Sequence, residues 1–246
     1  MNKKLFNVLC TIVMLLVVNS MHAQILRISA FGQEGFVMGD IAKTGINSPS
    51  AGYVDYASTG GLEANYYLKN NLGFGLRWSG TNFMRDFETY ESDLTEMLGI
   101  SNDPYDISPS YVYWAFGSDF GISYLIDISG KLQLEPYFYL GFKGLLSPMS
   151  SVIYSRENTT FQYKSKSHLF FGFSYSPGVK FHWNAFKHAG FFASLEYDGK
   201  SYLSDDERSM IYSYNSLEIT DTEKNYNIHS LNIGLGLSFR FGKGLE

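Results

Sequence analysis

The first thing missing from this 246-residue chain is cysteine: Cys10 is the only one, and it lies in an apolar N-terminal stretch. The rest of the chain therefore has no disulfide and no thiolate chemistry. Proline is scarce, with six residues, and only 17% of the chain is charged. The net charge is −5 and no cluster of Lys or Arg offsets it, which excludes a generally basic nucleic-acid binder. Long apolar runs are missing as well. Leu5 to Val18 is the longest, and it falls short of the roughly 20 residues a spanning helix needs. With Lys3 and Lys4 ahead of it and Met21-His22-Ala23 behind it, this run reads as a signal peptide over residues 1–23. Cleavage after Val18-Asn19-Ser20 is the competing site. A lipoprotein signal would carry its cysteine at the cleavage point, and Cys10 is not there. Without Lys3 and Lys4, 17 basic residues face 24 acidic ones, a net charge of −7.

Aromatic residues are abundant. There are 19 Tyr and 20 Phe alongside 24 Gly, a composition that favours strands over helices. The clearest pattern is the last stretch, Leu231-Asn232-Ile233-Gly234-Leu235-Gly236-Leu237-Ser238-Phe239-Arg240-Phe241. Every odd position is Leu, Ile or Phe, and every even one is Asn, Gly, Ser or Arg. A period of two puts these sets on opposite faces of one strand. One face is wholly apolar, and the other is small and polar, as a narrow and crowded lumen requires.

The same alternation recurs upstream. Runs at about 25–39, 58–68, 72–83, 111–126, from 132, 169–183 and 189–203 precede the closing strand. The first alternates poorly through Arg27, Ser29 and Gln33, which leaves its register open. The third sets Leu72, Phe74, Leu76 and Trp78 against Gly73, Gly75, Arg77 and Ser79. In the fifth, Pro136 predicts a bulge or local irregularity. Short turns at 69–71, 127–131 and 184–188 alternate with long links near 47–50, at 84–110, 147–167 and 204–227. Eight strands, each longer than the roughly 9–11 residues that cross a bilayer at a tilt, predict an all-β fold: an eight-stranded antiparallel up-and-down transmembrane β-barrel over residues 24–246. A soluble barrel with the apolar face inward is the rival. Trp, Phe, Tyr and Leu at nearly every inward position would overfill it, and its Gly- and Ser-rich outer face would be unusually poor in charge.

This layout resembles the small bacterial outer-membrane barrels of the OmpA and OmpX type and the PorT-like outer-membrane barrels of Bacteroidetes, over about residues 24–241. In those barrels the last strand carries a polar-x-Gly-x-x-apolar-x-aromatic assembly signal. Asn232, Gly234, Leu237 and Phe239 match that spacing. A second frame through Gly236, Phe239 and Phe241 has Gly234 where the polar residue belongs, and the chain continues through Gly242 to Glu246. The resemblance implies an outer-membrane location in a Gram-negative cell, contact with outer-membrane lipid and lipopolysaccharide, and insertion by the barrel assembly machinery.

Three groups of residues are candidates for chemistry. Parity places Glu63, Arg77, Asp119, Glu135, Lys143, Lys180, Glu196 and Arg240 on the inward face, together with Asp198 and Lys200. Both signs occur in similar number, and unpaired charges in a narrow interior are costly, so an ion-pair plug is expected. The histidines His168, His182, His188 and His229 have no metal-ligand spacing, and no His-x-Ser of the lipid A deacylase kind occurs. Acidic residues gather in two links, with Asp86, Glu88, Glu91, Asp93 and Glu96 in one and Asp205, Asp206 and Glu207 in the other. They read as solvated loop tips, or as contacts for divalent ions or a protein partner. Within the first of these links, Ser92 as N-cap and Gly99 as a stop predict one or two helical turns over 92–100.

The resulting expectation is a monomeric barrel, without catalytic residues, cofactor or metal, whose lumen is plugged by charge. It would serve a structural, adhesive or accessory role through acidic external loops and an extracellular or periplasmic protein partner. A membrane-embedded lipid-modifying enzyme and a small-solute channel are the alternatives.

Overall fold

A computed structural model of the chain describes residues 25–45, 52–100, 104–109, 112–156, 159–165, 167–203, 207–213, 216–222 and 226–242. The expected signal peptide lies outside the described residues. Eight long strands form one closed antiparallel sheet: β1 (Ile25–Gly39), β2 (Val54–Tyr67), β3 (Leu72–Arg85), β5 (Val112–Tyr124), β7 (Leu132–Leu146), β10 (Leu169–Trp183), β11 (Ala189–Leu203) and β14 (Tyr226–Phe241). Each pairs with its neighbour in sequence, β1 pairs with β14, and β7 pairs with β10 across the loop between them. Closure leaves no barrel edge, so backbone amides along the strands pair with neighbouring strands rather than with water, the condition for crossing hydrocarbon.

Period-two alternation sets the two faces. Leu62, Phe120, Phe173 and Leu235 point outward and are 57%, 71%, 68% and 71% exposed, whereas Arg27, Glu63 and Glu135 point inward and are at most 2% exposed. The register left open for β1 is resolved by its pairing: Arg27 lies opposite Arg240 and Asn65, and Ser29 opposite Ser238 and Glu63. Phe31 shares this inward face, since the Arg77 guanidinium sits 5.4 Å from its ring centre. The sequence pattern breaks here because a large apolar residue faces the lumen while Gly32 and Glu34 face outward.

Three short connections define one end of the barrel. In the first, Asn71 takes a left-handed conformation (φ 65°), and its N–H bonds to the Leu68 carbonyl. In the second, a short strand β6 (Ile126–Ser129) continues the pairing with β7. The β5–β7 ladder ends at Ser123–Tyr137, and β6 resumes it at Ile126–Leu134, so the interruption falls beside Pro136. Proline has no N–H to offer there. The irregularity is thus a gap in one ladder, and β7 stays in unbroken register with β10.

The long links hold more structure than their sequence indicates. Five strands, β4 (Tyr105–Pro109), β8 (Ser150–Arg156), β9 (Thr159–Ser165), β12 (Glu207–Ser213) and β13 (Ser216–Thr222), form a second antiparallel sheet in the order β13-β12-β9-β8-β4. A helix, α1, spans Phe87–Leu98 and is longer than the turn or two expected over 92–100. It begins earlier because Asp86, not Ser92, is the N-cap, its carboxylate accepting from the Thr89 N–H. A bond from the Thr89 hydroxyl, together with the one from its N–H, holds the Asp86 carboxyl below the usual carboxylate range. It ends at Gly99 in the left-handed conformation that closes helices. Tyr90 and Leu94 pack with Tyr53, Ile100 and Val152 into a small core of their own.

Candidate functional site: the barrel lumen

The inward face is built in tiers. Nearest the short-turn end, Glu135 accepts from the Tyr67 hydroxyl, lies 2.6 Å from His182 Nε2, and stands 3.6 Å from Arg27 Nη1. Arg27 Nη2 donates to Gln133 Oε1 at 2.7 Å. In the middle, Arg77 holds two carboxylates at once, Glu196 at 2.6 Å through Nη1 and Glu63 at 3.2 Å through Nε. Lys180 bonds to the other oxygen of Glu63, and the Tyr137 hydroxyl donates to Glu196 at 2.8 Å. The Arg77 guanidinium also lies 4.1 Å from the centre of the Tyr139 ring. Above this, Lys143 reaches Asp119 at 2.5 Å and Ser79 at 2.7 Å, and Lys200 pairs with Asp198.

Glycine makes room for these contacts. A Cβ on Gly75 would sit 2.1 Å from Asn65 Oδ1 and 2.3 Å from the Tyr139 hydroxyl, two atoms joined by a 2.8 Å hydrogen bond. On Gly141 it would sit 1.8 Å from Asp119 Oδ1. The inward glycines are therefore the space in which the charged side chains lie.

The uppermost tier is different in kind. Val37, Ile41, Phe83, Tyr113, Leu145, Phe170, Tyr202, Tyr226 and Ile228 form one apolar cluster, each at most 8% exposed. Phe170 and Tyr226 meet edge to face at 5.3 Å, and Tyr113 meets Tyr226 at 6.2 Å. Arg85 ties this tier to the crown formed by α1 and the second sheet, donating to the Tyr113 hydroxyl at 3.1 Å and stacking 4.2 Å from the Tyr90 ring centre in α1.

The charges selected by parity thus meet one another in the lumen: Glu63 with Arg77 and Lys180, Glu196 with Arg77, and Asp119 with Lys143. Arg240 stands apart and donates to the carbonyls of Phe186 and Lys187 at 2.8 and 3.0 Å. Sequence reasoning did not select Arg27, nor Tyr67 and His182 as carboxylate partners, nor the apolar tier. Arg27, Ser29 and Gln33 carried a usable period-two signal that Phe31 interrupts. The assembly-signal residues lie in β14, where Asn232 and Gly234 face inward and Leu237, Phe239 and Phe241 face outward.

The histidines do not converge. His182 lies in the lumen. His229 faces outward, stacked on Tyr197 with its Nδ1 2.8 Å from the Tyr197 hydroxyl. His188 sits in a short turn, its Nδ1 3.3 Å from the Arg240 carbonyl, and His168 lies beside Phe170. Among the described residues, no three His, Cys, Asp or Glu are grouped to hold a metal ion. Of the acidic loop residues, Asp86 caps α1, Asp93 accepts from the Tyr53 hydroxyl at 2.8 Å and Glu91 from that of Tyr105 at 3.1 Å, while Glu88 and Glu96 are exposed. Burial and the bond to Asp93 push the Tyr53 hydroxyl well above its ordinary pKa. Asp205 and Asp206 lie outside the described residues.

The outer face has a polar break across β1–β3. Glu34, Ser58 and Asn82 occupy one outward row across β1–β3, with the Ser58 hydroxyl donating to Glu34 at 3.2 Å, beside a row of Gly32, Gly60 and Gly80.

Compared with known proteins, residues 11–239 match the outer membrane protein beta-barrel domain family. The chain belongs to that family. Its place is the outer membrane, where bacterial barrels generally point their short turns to the periplasm and their long loops outside. No curated protein matches the sequence. Similar solved structures include a major outer membrane protein from Thermus thermophilus, at 12% identity and TM-score 0.46, covering 88% of this chain and 99% of that one. Ail, the attachment invasion locus protein of Yersinia pestis, is another, at 17% identity and TM-score 0.42, covering 89% and 99%. OprG from Pseudomonas aeruginosa is similar at 13% identity and TM-score 0.41, covering 89% and 97%.

Proposed function

We propose that this barrel is a non-conducting outer-membrane anchor that presents a structured extracellular crown as its working surface. The observation that carries this reading is the apolar tier beneath the crown, whose members are at most 8% exposed. Dispersion and burial fill that cross-section with side chains, where a solute path would need polar walls and water. The ion pairs below it support the same reading, since each cation they hold would have to leave a buried carboxylate for a path to open. In the crown, the exposed carboxylates of Glu88 and Glu96 on α1 offer a negative surface suited to a basic protein patch, or to divalent ions bridging to lipopolysaccharide phosphates. The Tyr197–His229 pair on the lipid face has no serine in His-x-Ser spacing, so no lipid-modifying activity is proposed.

Conductance is the test. The purified monomer in planar bilayers is expected to pass no steady current, and large, stable currents would replace this reading with the channel. Replacing residues 148–167 by a short turn should leave a barrel that still migrates differently on a gel when unboiled. That variant should lose the crosslinks formed in intact cells by photo-reactive groups at positions 88 and 96.

A further inference from the structure

We infer that the periplasmic mouth of the lumen binds a phosphate group between Arg27 and Arg240. The two arginines are cross-strand partners on adjacent strands, both on the inward face. Side chains directly opposite one another in a sheet have Cβ atoms about 4.5–5.5 Å apart, and like charges there repel. Four other lumen cations have their carboxylates: Arg77, Lys143, Lys180 and Lys200 each contact one within hydrogen-bonding distance. Arg240 contacts none among the described residues and bonds only to two turn carbonyls. Arg27 approaches Glu135 no nearer than 3.6 Å, and that carboxylate is already engaged by Tyr67 and His182. Asp127, the other acid nearby, lies at the exposed rim and accepts from Gln133 at 2.7 Å.

Among the described residues the inward groups of the mouth, Arg27, Arg240 and Glu135, therefore carry one positive charge in excess, and part of their donors are unused. Arg27 Nε and Nη1, Arg240 Nε and Ser238 Oγ are buried and have no hydrogen-bond partner among the described residues. Arg27 is fully buried and Arg240 is 9% exposed, so Arg240 is the more accessible of the two. Ser238 is two residues from Arg240 on the same face and lies opposite Ser29. Guanidinium N–H groups with a hydroxyl beside them match the oxygens of a phosphate, and charge-assisted bonds of this type are the strong ones. The phosphate could be free in the periplasm or carried by an anionic phospholipid of the inner leaflet, and the chemistry at the site is the same.

The test is titration of the folded full-length barrel in zwitterionic detergent, at constant ionic strength, with inorganic phosphate and separately with a short-chain phosphatidylglycerol. Binding is read by calorimetry and by phosphorus NMR. Arg240→Gln is expected to weaken binding by at least about tenfold. Ser238→Asp, which supplies a built-in anion, should abolish binding and raise resistance to urea. That second variant keeps the test decisive if Arg240→Gln folds poorly. Saturation by phosphate that is lost in Ser238→Asp identifies a soluble anion, and saturation by the lipid alone, lost in the same variant, identifies a headgroup. No saturable binding of either probe to the wild type, or binding unchanged in the variants, overturns the proposal.

Discussion

The two halves of the lumen solve one packing problem with opposite chemistry. The lower half, toward the short turns, is filled by charges whose partners lie on distant strands, such as Arg77 and Glu196, which are 119 residues apart. The upper half is filled by Phe83, Leu145, Phe170, Tyr202 and their neighbours, with no ion pair inside the cluster. Apolar packing is tolerant, because neighbours can shift to close part of a gap. Ion-pair packing is brittle, because deleting one member strands another in a place where water is scarce. The lower half should therefore be sensitive to the identity of single atoms, and the upper half chiefly to volume.

Arg77→Ala tests this difference most severely. It removes the cation shared by Glu63 and Glu196, and a buried charge left in this way costs about 3–5 kcal/mol. Equilibrium unfolding in urea, with the barrel in phospholipid bilayers, should show that loss. An unchanged midpoint would mean that water or rearranged lysines replace Arg77 without penalty and that the lower half is no more brittle than the upper.

Leu145→Ala is the matching deletion in the upper half, where Leu145 is fully buried. Truncating a core leucine costs about 2–5 kcal/mol, with the larger values going to sites that cannot collapse. The tiered reading predicts the lower part of that range, about 2–3 kcal/mol, and near-complete recovery on replacement by the similar volume of Met. Failure of Leu145→Met to recover stability would show that the upper half is as shape-specific as the lower.

How much of this was legible in the sequence differs between the same two halves. Alternation named the eight strands and sorted most inward charges by parity, because lipid on one side and a crowded lumen on the other impose opposite demands on successive residues. Partners were not legible. Which carboxylate meets Arg77 depends on how the strands stagger around the closed barrel, and parity carries no information about stagger. The upper lumen was hidden because its strands rise to where both faces are apolar, as Phe83 beside Met84 and Phe170 between Leu169 and Phe171 illustrate. The crown strands were hidden for a related reason. With no lipid to impose a clean alternation, Ser150–Arg156 and Glu207–Ser213 mix aromatic, aliphatic and polar residues without a periodic face. The helix end was legible from Gly99. Its start was not, since Asp86 and Ser92 are both acceptable caps, and the choice of Asp86 goes with the packing of Tyr90 and Leu94, which the sequence does not show.

One chemical change made in each half isolates the contrast from differences in size. Tyr137→Phe removes a hydroxyl that donates to buried Glu196 at 2.8 Å. A hydrogen bond to a charged group contributes about 1.5–3 kcal/mol, so this variant should lose that much, and Glu196 would then rely on Arg77 alone. A loss below about 0.5 kcal/mol would show that water replaces the phenol and that the lower half is wetter than its packing indicates.

Tyr202→Phe is the same deletion in the upper half and should have the smallest effect of all. Tyr202 is 1% exposed, and its hydroxyl is buried with no hydrogen-bond partner among the described residues. A buried, unsatisfied hydroxyl gives up its bonds to water on folding and gains nothing in return, at a cost of about 1–3 kcal/mol. Removing it should leave stability unchanged or raise it by up to about 1 kcal/mol, since the ring and its packing are retained. The sign of this small effect distinguishes the two halves more sharply than any large loss does. A hydroxyl lost from the charged tier should weaken the barrel, and one lost from the apolar tier should not. If Tyr202→Phe instead destabilises the barrel by as much as Tyr137→Phe, the hydroxyl has a partner, an ordered water being the simplest. The upper lumen would then be hydrated, which is the property a conducting path requires and the proposed non-conducting anchor does not have.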